Sequence, residues 1–200
     1  MDDLEGLLDR YEDKLGNYLF KLTTSDLDEE HSKEVSKNLR VLSDFERISD
    51  HARNVGEAVE EIHEKKIEFT DAALRELSTL EEAISEITEL TMVAFVNDNY
   101  EKALIVDPLE EVIDDLCDEI KANHVERISK QECVYEHGFV FNDLLTDYER
   151  IADHCNNIAV DVLESVTEVG GLHAYHLQAD FRQDEFFREH FAEYKEKYSL

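Results

Sequence analysis

Residues that break helices are nearly absent from this chain, which holds one proline and six glycines in 200 positions. Few tight turns can be built from so few, so long helices are expected throughout. Cysteine is scarce too. Cys117, Cys133 and Cys155 are odd in number and form no C-x-x-C pair. That speaks against a disulfide framework or a thiolate zinc site and reads as reduced core thiols in a cytosolic compartment. The longest uninterrupted apolar run, Met92 to Val96, is far too short to span a membrane. The acidic N-terminus has none of the character of a secretory signal. Positive charge is in short supply: 20 Lys and Arg against 50 Asp and Glu give a formal net charge of -30. Nucleic acid and anionic membrane surfaces are therefore disfavoured partners, and cations are favoured ones. A cytoplasmic location is expected.

What is present is helical periodicity. The 42% apolar content is enough for a core. Leu4, Leu7, Leu8, Tyr11, Leu15, Tyr18, Leu19 and Leu22 trace a helix over 2–22. Thr23 to Asp26 should end it and cap a long second helix over 27–65, striped by Leu39, Leu42, Phe45, Ile48, Val55 and Val59. Phe69-Thr70-Asp71 opens a third over 71–97, and Asn97-Asp-Asn99 breaks it. A fourth over 100–129 contains Pro108, expected as a kink or a restart. A fifth spans 132–167 up to Gly170-Gly171, and Phe181, Phe186, Phe187, Phe191 and Tyr194 mark a C-terminal helix over 175–198.

An eleven-residue string occurs twice. Asp44-Phe-Glu-Arg-Ile-Ser-Asp-His-Ala-Arg-Asn54 returns as Asp147-Tyr-Glu-Arg-Ile-Ala-Asp-His-Cys-Asn-Asn157, with seven of eleven positions identical and most of those polar or charged. A repeat kept for packing alone would conserve apolar residues and let polar ones drift, so the duplication has kept a chemical surface as well as a fold. Each copy is preceded by a fainter echo, Glu5-x-x-x-Asp9 and Glu110-x-x-x-Asp114. The chain divides accordingly into a first repeat over 1–66 with two helices, a second over 67–170 with three, and a tail over 171–200. The first repeat lacks a counterpart of the 71–97 helix. Its bare hairpin would leave an apolar groove in water, expected to be filled by the C-terminal helix or by a second copy of the chain.

Residues four apart stack on one helix face. Glu46 and Asp50 are therefore neighbours, as are Glu149 and Asp153, Glu5 and Asp9, and Glu110 and Asp114. Glu46 and Asp50 fall beside the apolar stripe, next to Ser49 and Gly56, and Ala152 and Ala159 hold those places in the second copy. Small residues there let a partner helix come close. If it presents its own acidic pair at the same level, four carboxylates converge, a ligand set for a hard or borderline cation such as magnesium, calcium, manganese or iron. Asp44, Asp147, Asn54, Asn157, His51 and His154 could supply ligands or hydrogen bonds behind them, with the histidines at a more polar angle. Arg47 and Arg150 are expected to pair with nearby acids.

The string Asp-x-Glu-Arg-Ile-x-Asp-His, twice in long helices and each time after an upstream Glu-x-x-x-Asp, resembles the PhoU family. The nearer likeness is to the PhoU-like C-terminal domain of bacterial sodium/phosphate cotransporter-family proteins. It is carried by Leu109 to Asp114, Lys121 to His124, Cys133 to Phe141, Asp147 to Val160 and the tail Phe191 to Tyr198. The resemblance implies an all-α fold of tandem antiparallel helix bundles, the first lacking its first helix, plus a C-terminal helix. It implies multinuclear metal clusters on Glu5, Asp9, Glu46 and Asp50 and on Glu110, Asp114, Glu149 and Asp153, iron foremost, with manganese, zinc, magnesium or calcium as alternatives. It further implies a non-enzymatic regulator on the cytoplasmic face of the membrane, partnered with a membrane transporter domain of the same polypeptide or complex. The transport pore is not in this chain.

Two other classes compete. A structural adapter would carry the same acidic motifs as solvated surface. A ferritin-like di-metal oxidase would need Glu-x-x-His on two helices, and the sequence offers only Glu60-x-x-His63. His173 and His176 read as loop surface. No nucleophile–base pair or glycine-rich phosphate loop is found.

Overall fold

A computed structural model describes residues 2–134, 137–166, 182 and 184–200. Six helices make up almost all of the described chain: α1 Asp2–Thr23, α2 Glu29–Lys65, α3 Asp71–Val96, α4 Tyr100–Ser129, α5 His137–Val166 and α6 Glu185–Lys197. No strand occurs among the described residues. Several boundaries follow local chemistry. The Thr70 side chain accepts from the Ala73 amide to start α3, and Asn99 accepts from Lys102 to start α4. The cap of α2 is Asp28, which accepts from the His31 amide, and not the expected Thr23 to Asp26 segment. Asp98, at φ 45°, turns the chain between α3 and α4.

Two further expectations are corrected. Pro108 does not restart a helix, because α4 is one helix from Tyr100 to Ser129 through it. The missing donor leaves the Leu104 carbonyl without its helical partner. The fifth helix starts at His137 rather than 132. In the C-terminal stretch the described helix begins at Glu185, where Asp184 caps it; residues 175–181, Gly170 and Gly171, and His173 and His176 lie outside the described residues.

The core belongs to the second repeat. Leu80 and Ile87 of α3, Leu109, Ile113 and Ile120 of α4, and Phe141, Leu145 and Val162 of α5 are fully buried. Ala83, Ala94, Ala103, Ala152 and Ala159, also buried, let these helices approach closely. A forked ion pair is folded into the same bundle. Arg127 Nη1 and Nη2 each lie 2.7 Å from Glu76, and Asn123 donates to Glu76 at 3.0 Å. Cys117 and Cys155 are free and buried, as expected of core thiols.

Helix α2 lies along α5, and α1 packs against α2. Helix α6 packs on α4, so the C-terminal helix does not fill the groove of the first repeat. Leu7, Leu8, Tyr11, Leu15 and Tyr18, all within one 100° sector of α1, stay 40–60% exposed.

Candidate metal centre

The duplicated string separates into two sets of residues once the helices are in place. Asp44, His51 and Asn54 of α2 meet His154, Asn157 and Asp147 of α5 reciprocally. His154 Nδ1 donates to Asp44 Oδ1 at 2.8 Å and Asn157 Nδ2 at 3.2 Å. His51 Nδ1 donates to Asp147 Oδ1 at 2.8 Å and Asn54 Nδ2 at 3.1 Å. The two imidazoles stack between them, centroids 5.8 Å apart and planes 24° from parallel. Residue 44 pairs with 154 and 51 with 147, so the two helices run antiparallel about a local two-fold. Asp44, Asp147, His51, His154, Asn54 and Asn157 therefore staple one repeat to the other. Their hydrogen bonds run to one another across the seam between α2 and α5. A single helix face could not disclose this, because each partner lies about a hundred residues away.

Glu149 and Asp153 lie on the same helix as one half of the staple, and α4 brings Glu110 and Asp114 to them. Carboxylate oxygens of Glu110, Asp114 and Asp153 come within 4.8 Å of one another. This is the only such acidic group among the described residues. Glu149 is turned to Lys121, whose Nζ donates to it at 2.6 Å, and Arg150 Nη1 donates to Asp153 at 2.8 Å.

The group is unbalanced electrostatically. Glu110 is nine-tenths buried, and its Oε2 has no hydrogen-bond partner; Arg182 Nη2 approaches only to 3.8 Å. Asp114 Oδ1 is buried without a partner as well. Burial first, then Asp114, Asp107 and Glu111, push Glu110 up to about 8. Burial, with Asp153 and Glu149, pushes Asp114 up to about 6. Carboxylates in that condition want a proton or a cation. The donor set is oxygen only, which suits magnesium, calcium, manganese or iron. Glu110, Asp114 and Asp153 would hold such an ion, with Glu149 released from Lys121 as a fourth ligand.

Asp107 was not expected in the site. It sits one turn before Glu110, is buried, accepts from Asn156 Nδ2 at 3.1 Å and Arg182 Nη2 at 3.0 Å, and keeps Oδ2 unpartnered. Its spacing from Glu110 was the available signal, obscured by the proline between them. Arg182 also pairs with Glu111, and nothing in the repeat pattern marks it.

The first repeat builds no comparable centre among the described residues. Glu46 and Asp50 side chains are 38% and 42% exposed, each with an arginine at 3.9 Å, Arg47 and Arg53. Asp9 is exposed, and the Glu5 side chain lies outside the described residues. Glu60 and His63 are both exposed near the end of α2.

The PhoU domain model matches residues 2–59 and 77–162. The chain belongs to the PhoU domain family. It is 30% identical over 125 residues to the "Phosphate-specific transport system accessory protein PhoU homolog 1" of Thermotoga maritima, a match covering 62% of this chain and 53% of that protein. The chain thus spans about half the length of this curated relative. No solved structure matches. None of the described helices is long and apolar enough to cross a membrane.

Proposed function

We propose that this PhoU-domain chain is a non-enzymatic regulatory module of a phosphate transport system whose second repeat binds a divalent or trivalent cation. The observation that carries the reading is the group Glu110, Asp114 and Asp153, with buried carboxylate oxygens on Glu110 and Asp114 that the protein leaves unpartnered. A purely structural bundle has no use for them, since a buried polar group without a hydrogen-bond partner costs free energy. Iron is the first candidate ion, with manganese, zinc, magnesium and calcium behind it. The likeness over Leu109 to Asp114 and Asp147 to Val160 supports a finer assignment. On it, the chain is the cytoplasmic PhoU-like domain of a sodium/phosphate cotransporter-family protein and acts on a membrane transporter domain of the same polypeptide or complex. Transport itself belongs to that partner.

The adapter reading has one observation in its favour: Lys121, Arg150 and Arg182 already offset part of the acidic charge. Dialysis of chelator-treated protein against Fe2+, Mn2+, Zn2+, Mg2+ or Ca2+, followed by elemental analysis, separates the two. The metal reading expects at least one retained ion per chain, lost in Asp114→Asn/Asp153→Asn, and a melting temperature raised by the ion in wild type alone. An ion-free wild type with an unchanged melting temperature would leave the adapter.

A further inference from the structure

The geometry points to Arg182 as a built-in competitor for the cation centre, so that ion binding and docking of the C-terminal helix oppose each other. The inference rests on the cation reading above and assigns that site its regulation.

Helix α6 is held to the body by its cations. Arg182, two residues before the α6 cap, places Nη2 3.0 Å from Asp107 and 3.8 Å from Glu110, and pairs through Nη1 with Glu111. Lys195 reaches Asp115 of α4 at 2.7 Å, and Lys197 reaches Glu86 of α3 at 2.5 Å. Phe187 and Tyr198 add the buried apolar anchors. Three acidic side chains of α4 thus face one guanidinium, and Glu110 is shared between it and the centre.

A cation held by Glu110, Asp114 and Asp153 acts on Arg182 twice. It draws on Glu110, whose Oε2 lies 3.8 Å from the guanidinium, and it adds positive charge beside the acidic face of α4 that Arg182 uses. The α4 carboxylates are then partly neutralised and attract Arg182 less. Because coupling between two binding equilibria is reciprocal, Arg182 must weaken the ion by the same factor. The ion's occupancy is thereby reported at the C-terminal helix, which Arg182 precedes.

The test titrates Mn2+ into the full chain and into Arg182→Gln and Lys197→Gln, following free Mn2+ by electron paramagnetic resonance. Amide hydrogen exchange over 184–200 is read with and without the ion. The expected result is an affinity about fivefold or more tighter in Arg182→Gln, a smaller change in Lys197→Gln, and faster exchange in α6 on loading the wild type. Equal gains in the two variants would reduce the effect to net charge and overturn the inference. So would an unchanged affinity in Arg182→Gln with α6 protection indifferent to Mn2+. A wild type that binds no Mn2+, nor any other ion in the dialysis test, removes the cation reading itself, an outcome separate from those two.

Discussion

At the scale of single residues, five of the seven repeated positions carry two different tasks. Asp44, His51 and Asn54 with their counterparts hold α2 to α5, while Glu149 and Asp153 face α4. The staple predicts that Asp44→Ala and Asp147→Ala each destabilise the protein by about 1–3 kcal/mol, because each strands two donors at once. Urea denaturation would measure it, and a double-mutant cycle between Asp44 and His154 should show coupling; a free energy that simply adds would contradict the staple. Glu46→Gln, on a half-exposed side chain, should change stability by less than about 0.5 kcal/mol. The centre predicts a pH profile. Glu110 and Asp114 are raised to about 8 and about 6 in the folded chain, above their unfolded values. Between those values the unfolded state binds fewer protons than the folded one. Stability of the cation-free protein should therefore be fullest below pH 3.8 for these two groups and fall as pH rises to about 8. Glu110→Gln should flatten that fall in urea midpoints taken at pH 5.5, 7 and 8.5, in chelator. A midpoint that rises across this range in wild type would refute the assignment.

At the scale of elements, helix existence and order could be read from periodicity, since apolar spacing and the scarcity of glycine and proline leave little alternative. The errors fell where one side chain decides. Asp28 caps α2 where Thr23 to Asp26 was expected, and α4 continues through Pro108, which is itself buried in the core. Half of the candidate site was open to the same reasoning. The i, i+4 rule placed Glu110 with Asp114 and Glu149 with Asp153, but it made the first repeat look equivalent to the second. The difference is burial, which depends on α3 covering one hairpin and not the other. Gly138, in the first turn of α5, offers a test of that close packing. A Cβ there would stand 2.9 Å from His124 Nε2, and His124 is held by stacking on Phe141 with centroids 4.5 Å apart. Gly138→Ala should destabilise by about 1–3 kcal/mol despite its better helix propensity. A gain in melting temperature would show the contact to be slack.

At the scale of the whole molecule, the fold is lopsided. Nearly all fully buried side chains belong to α3, α4 and α5, and α6 adds to that side, while α1 leans on α2 with an apolar stripe left in water. Leu7, Leu8, Tyr11, Leu15 and Tyr18 form a continuous strip of the kind that marks an interface. The 200-residue chain is accordingly expected to self-associate in sedimentation experiments. Association should strengthen with salt, which screens a net charge of -30, and weaken in Leu8→Glu/Leu15→Glu. A salt-independent monomer at high concentration would exclude a second copy as the cover. The lopsided fold further predicts that a cation favours the second repeat, where the buried acidic group of the described residues lies. An anomalous-difference map from crystals soaked in Mn2+ tests it most directly. A peak is expected among Glu110, Asp114 and Asp153 at higher occupancy than anything near Glu46 and Asp50. A peak at Glu46 and Asp50 with none in the second repeat would contradict it.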